Sequence, residues 1–172
     1  MKIRTLCAAL MLVCAPAYAE DMTVALRYGE FDNYDRIGAS LRFAPVWTAD
    51  WGNWRAALHP ELEVGRLRYD GHGPGASTLD QGGVLGMFRA VYGSGALRPY
   101  AEVGLGLALF SRTTLGGKDF STRLQFSEHL GLGVELPHGL SAGWLYSHYS
   151  NADIKLPNDG VDFHQIVIGA RF

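Results

Sequence analysis

The sequence predicts an all-β fold, an eight-stranded antiparallel outer-membrane β-barrel, and three observations carry that prediction. A secretory leader opens the chain. Eight segments with period-two alternation follow it. Along those segments bulky apolar residues fall on one face, while carboxylates, histidine and glycine fall on the other.

The leader is built from Lys2 and Arg4, an apolar stretch from Leu6 to Ala15, and the small-x-small site Ala17-Tyr18-Ala19. That pattern marks a signal peptide over residues 1–19, too short and wrongly flanked for a spanning helix. Residues 20–172 are then expected to form a single barrel domain. Both cysteines, Cys7 and Cys14, lie in the leader, so the mature chain carries no thiol. Val13 is larger than a lipidation site before Cys14 tolerates. Without Lys2 and Arg4, thirteen basic residues face seventeen acidic ones, a net charge of −4 with histidine neutral. That balance argues against a nucleic-acid partner. Nothing after the leader approaches the run of about eighteen apolar residues that a transmembrane helix needs. A closed barrel is the remaining way to satisfy every backbone group inside a bilayer.

The alternating segments run Thr23–Tyr28, Arg36–Ala44, Trp54–Tyr69, Gly83–Tyr92, Arg98–Phe110, Leu124–Leu136, Leu140–Ser150 and Asp162–Phe172. In the third, Leu58, Leu62 and Val64 share a face opposite His59, Glu61 and Glu63. The fifth sets Val103, Leu105, Leu107 and Leu109 against Glu102, Gly104, Gly106 and Ala108. The sixth sets Leu130, Leu132, Val134 and Leu136 against His129, Gly131, Gly133 and Glu135. A soluble barrel points its apolar face inward; here the face opposite the apolar rows carries charge, so the rows face lipid. The inward carboxylates and histidines are expected to pair with Arg27, Arg42 and other cations in the lumen.

Connections agree. From a periplasmic N-terminus, inner turns fall at Pro45–Asn53, Gly93–Leu97 and Pro137–Gly139. The outer loops Asp70–Gly82, Ser111–Arg123 and Asn151–Val161 are longer and polar, as bacterial barrels have them. The terminal Phe172 resembles the signal read by the outer-membrane assembly machinery.

Chemistry concentrates in the last third. His148 and Ser150 are two residues apart, so a strand puts both on one face, about 7 Å apart along the backbone. Trp144 and Tyr146 share that outward face, forming a lipid-facing groove beneath them. Asp162 has the parity of Ile166 and Ile168, and antiparallel pairing across the last loop returns it beside His148. A serine nucleophile needs a base, and a histidine base works best with a carboxylate fixing its tautomer. Ser150, His148 and Asp162 therefore form a candidate catalytic set on the outer wall. On spacing alone, a histidine and serine capping a polar strand end is the better reading.

The stretch Ser147-His148-Tyr149-Ser150-Asn151-Ala152, followed by Leu156-Pro157-Asn158-Asp159-Gly160 and the closing strand, resembles the lipid A 3-O-deacylase family, PagL. The resemblance implies an outer-membrane barrel with a Ser-His-Glu triad that removes the ester-linked 3-hydroxyacyl chain at position 3 of lipid A. Carried over, Ser150 matches the nucleophile and His148 the base. Asp162 stands where the family usually has glutamate, one methylene shorter. Asn151, Asn158 and Gly160 match the residues after the nucleophile and the Asn-x-Gly loop. They are candidates for oxyanion or orienting roles, although Asn-Asp-Gly also encodes an ordinary turn. The implied partner is lipopolysaccharide in the outer membrane, with no cofactor and no metal, and a homodimer is left open. The competing readings are a non-catalytic structural or adhesive barrel, and a different lipid enzyme such as a phospholipase or acyl transferase.

Overall fold

The computed structural model describes residues 21–172; the expected signal peptide and both cysteines lie outside them. Eleven strands follow in order: β1 (Thr23–Phe31), β2 (Tyr34–Arg42), β3 (Trp47–Trp51), β4 (Trp54–Tyr69), β5 (Thr78–Tyr92), β6 (Arg98–Phe110), β7 (Thr114–Leu115), β8 (Lys118–Asp119), β9 (Leu124–Glu135), β10 (Leu140–Ser150) and β11 (Val161–Arg171). All neighbours in the main sheet are antiparallel, in the order β2-β1-β11-β10-β9-β6-β5-β4-β3. The additional β2–β4 pairing closes the sheet into a barrel. Closure leaves no open edge through the wall, which a lipid environment requires.

The wall has eight members because β2 and β3 are one strand interrupted by a bulge. Arg42 pairs with Glu61 and Trp47 with Leu58, so β2–β3 advances five positions while β4 advances three. Pro45 lies inside this bulge and has no N–H for the ladder. The backbone N–H groups of Phe43 and Val46 reach the Pro60 and Leu58 carbonyls across it, each at 2.9 Å. The expected inner turn Pro45–Asn53 is therefore mostly strand, and the true turn is Gly52-Asn53, with Gly52 at φ +58°. At the outer end, Asp32-Asn33 joins β1 to β2 in an equally tight turn.

The predicted faces hold. Leu105, Ile166 and Leu26 are 69, 67 and 65 % exposed on the outer wall. In the lumen, the expected charge lattice is present. Arg27 bonds Glu63 at 3.0 Å and also meets Glu61. Arg42 bridges Glu61 at 2.8 Å and Glu102 at 3.0 Å. Arg36 joins Glu63, Gln81 and Gln165 at 3.1, 2.7 and 2.8 Å. Its guanidinium lies 2.9 Å from where a Cβ on Gly65 would stand, so a larger residue there would push it aside.

The upper lumen departs from the parity rule. Leu67, Leu79, Phe110, Leu115, Phe120, Tyr149 and Phe163 form a buried apolar plug. Leu115 and Phe120 belong to the 111–123 loop, which folds its β7–β8 hairpin inward over the barrel mouth. This plug explains why β5 begins at Thr78 rather than at Gly83: Leu79 points in, against a pattern that keeps leucines out. An apolar cap seals the charged lattice from water.

Candidate active site

The β10–β11 hairpin brings the outer-wall residues together. His148 and Asp162 are direct cross-strand partners. The imidazole Nδ1 donates to Asp162 Oδ1 at 2.7 Å, with side chains 30 and 28 % exposed. A carboxylate accepting at Nδ1 leaves Nε2 as the free basic nitrogen. Ser150 lies on the same face, and its β9 partner is Phe126. The imidazole Cε1 and the Ser150 Cβ both approach the space above Gly160, 3.2 and 3.7 Å from where a Cβ there would stand. Among the described residues, no hydrogen bond joins the Ser150 hydroxyl to the imidazole. A serine hydroxyl has three staggered positions about χ1, so rotation alone redirects it.

Gly160 has φ +57° and is buried. Any larger residue there would carry backbone strain and crowd the histidine and the serine. Asn151 and Asn158 do structural work in the same loop. Asn151 is 2 % exposed, and its Nδ2 donates to the Phe120 and Lys155 carbonyls, both at 2.8 Å. Its backbone N–H donates to Asn158 Oδ1 at 2.9 Å, and Asn158 Nδ2 donates to Asp153 at 3.0 Å. The side-chain amide and the backbone N–H of Asn151 are thus all engaged within the loop. The β7–β8 hairpin fixes that loop from above, with the Asp119 N–H on Asp159 Oδ2 at 2.6 Å and Lys118 Nζ on the Asp159 carbonyl at 3.4 Å.

Trp144 and Tyr146 occupy the outer face as expected, and they are organised by a residue that sequence reasoning passed over. His164 stacks on Trp144, with ring centroids 5.7 Å apart at 19°, and also meets Tyr146 and Phe31 at 5.5 Å each. The Tyr146 hydroxyl donates to Asp162 Oδ1 at 2.5 Å. A second missed residue is Glu128, the β9 partner of His148, exposed on the same wall. Parity with Leu130 and Leu132 would have found it. Its alignment with His148 needed the β9–β10 register, which no local pattern fixes. Among the described residues, no group of three or more histidine, cysteine, aspartate or glutamate side chains is arranged to hold a metal ion.

The family model described as lipid A 3-O-deacylase (PagL) matches residues 35–171. A lipid A deacylase PagL of Bordetella bronchiseptica is 37 % identical over 168 residues, 95 % of this chain and 92 % of the relative. A lipid A deacylase PagL of Pseudomonas aeruginosa is 29 % identical over 155 residues, 88 % of this chain and 86 % of the relative. The crystal structure of the outer membrane enzyme PagL superposes with a TM-score of 0.72 at 22 % identity, covering 87 % of this chain and 99 % of that one. The Yersinia pestis outer membrane protein Ail superposes with a TM-score of 0.50 at 12 % identity, over 89 % of this chain and 99 % of Ail. These structural likenesses show the barrel fold alone, and function must be argued from the site.

Proposed function

This chain belongs to the lipid A 3-O-deacylase (PagL) family and is an outer-membrane β-barrel, and from that membership we propose that it hydrolyses the 3-O-linked acyl ester of lipid A through Ser150, His148 and Asp162. The observation that carries the reading is the 2.7 Å contact between His148 Nδ1 and Asp162 on the lipid-facing wall, with Ser150 beside it over Gly160.

Lipid A stands in the outer leaflet, so its acyl chains run alongside the barrel and its esters lie level with the external strand ends. His148 Nε2 removes the Ser150 hydroxyl proton as Oγ attacks the ester carbonyl. Asp162, ionised, holds the imidazole in the Nδ1–H tautomer and stabilises the imidazolium that forms. Collapse of the tetrahedral adduct breaks the bond to the sugar 3-oxygen, and His148 returns the proton to that oxygen. Water, deprotonated by the same imidazole, then cleaves the acyl-enzyme and frees the fatty acid. Trp144 and Phe126 give the departing chain an apolar wall.

The test is mass spectrometry of lipid A from cells with and without the protein. The expected product lacks one hydroxyacyl chain. Ser150→Ala and His148→Ala should each abolish the loss while the barrel stays heat-modifiable on gels. Full deacylation by either variant overturns the triad. An unchanged lipid A spectrum with the parent protein points to a barrel without this activity.

A further inference from the structure

We propose that Tyr146 is a positioning residue for this hydrolysis, its hydroxyl holding Asp162 in the orientation that serves His148. The inference rests on the reading of His148 as the base. It comes from a symmetry that the fold creates and one hydroxyl breaks.

His148 has a carboxylate as cross-strand partner on each side, Asp162 on β11 and Glu128 on β9. Register alone does not choose between them. The imidazole bonds Asp162, and what distinguishes Asp162 is a second donor. Tyr146 Oη reaches the same Oδ1 at 2.5 Å that His148 Nδ1 reaches at 2.7 Å. One hydrogen bond leaves a partly exposed aspartate free to swing about Cβ–Cγ and exchange its partner for water. Two donors converging from one strand onto one oxygen fix both its torsions. The tyrosine itself is held by its neighbours. Its cross-strand partner is His164, whose ring packs against Tyr146, Trp144 and Phe31. The aromatic column on the outer wall thus sets where the hydroxyl stands.

The charges around the imidazole give the arrangement a second readout. Glu128 faces it from β9, Tyr146 shares its strand, and Asp162 and His164 come from β11. The Lys118 ammonium of the external hairpin also acts on Asp162. The Tyr146 O–H draws negative charge away from the side of Asp162 that meets Nδ1. Without it the carboxylate holds the imidazolium more strongly. The acid limb of the kcat/KM profile must then move upward.

Tyr146→Phe separates the two roles open to this side chain, because it keeps the ring that would flank an acyl chain and deletes only the donor. On purified lipid A, kcat should fall about tenfold with KM little changed, and the acid limb should shift to higher pH. In an Asp162→Asn background the same change should add nothing, since Tyr146 acts through the carboxylate. A Tyr146→Phe enzyme with the parent's kcat and pH profile overturns the proposal, as does an effect that persists undiminished in the Asp162→Asn background. A change in KM alone assigns Tyr146 to lipid packing. Ser150→Ala measured alongside keeps the two readings apart. If that variant still deacylates, the triad itself fails. If it is inactive while Tyr146→Phe behaves as the parent, only the role of Tyr146 is lost.

Discussion

Two serine–histidine–carboxylate clusters meet at β10 of this barrel, one on each side of the wall, and they behave as opposites. On the inner side, His129 accepts or donates at both ring nitrogens, to Ser127 and Ser147 at 2.8 Å each, with Glu63 3.9 Å from Nε2. Its side chain is wholly buried, as is that of Glu63. Glu63 also takes hydrogen bonds from Arg27, Arg36, Gln81 and Tyr149. On the outer side, His148 bonds one carboxylate through one nitrogen and stays about a third exposed. The residue types are nearly the same. What differs is unused capacity: the inner imidazole has no free nitrogen and no path for a substrate, while the outer one has both. On the proposed reading, a catalytic inventory becomes a site where its hydrogen bonding is left incomplete and lipid can reach it.

That contrast can be broken most severely at Asp162. Asp162→Asn should lower kcat about 10³- to 10⁴-fold, because an amide at this position favours the wrong imidazole tautomer. Glu128→Gln, removing the other carboxylate beside His148, should leave deacylation close to the parent level, as befits an exposed charge. Equal losses in the two would erase the distinction between the flanking acids. The inner cluster should respond in stability instead. Glu63→Ala takes the paired anion from Arg36 and leaves Arg27 only Glu61, and should destabilise the barrel by about 3–5 kcal/mol, read as a lower urea midpoint after refolding into micelles. A milder loss of stability is expected from His129→Ala, which leaves the Ser127 and Ser147 hydroxyls short of a partner. A cost of about 1–3 kcal/mol is expected, with deacylation by the folded fraction retained. Loss of activity at an unchanged urea midpoint would mean that the inner histidine takes part in the chemistry.

The legible parts of the fold were those governed by lipid. Rows such as Leu105-Leu107-Leu109 and Leu130-Leu132 repeat every second residue, and three of the eight expected segments, Trp54–Tyr69, Arg98–Phe110 and Leu140–Ser150, match β4, β6 and β10 at both ends. The illegible parts were those where neighbours far apart in the chain override parity. Leu79 turns inward because Phe110, Leu115 and Phe120 build an apolar plug there. Trp47–Trp51 joins the wall because the backbone bridges the bulge at Pro45. In the site, His148, Ser150 and Asp162 were legible as one face of one hairpin. The second donor on Asp162, the His164 stack and the competing Glu128 were not.

By itself, then, the sequence determined which side of each strand meets lipid and which residues carry reactive groups, because alternation along a strand is a local property with a period of two. Only the tertiary structure decided which carboxylate serves His148, which asparagines are occupied in holding a loop, and which histidine is sealed away. Those outcomes depend on the register between strands and on loops folding over the mouth, and the contacts that set them join residues tens of positions apart, as Asn151 with Phe120 and Tyr149 with Glu63 do.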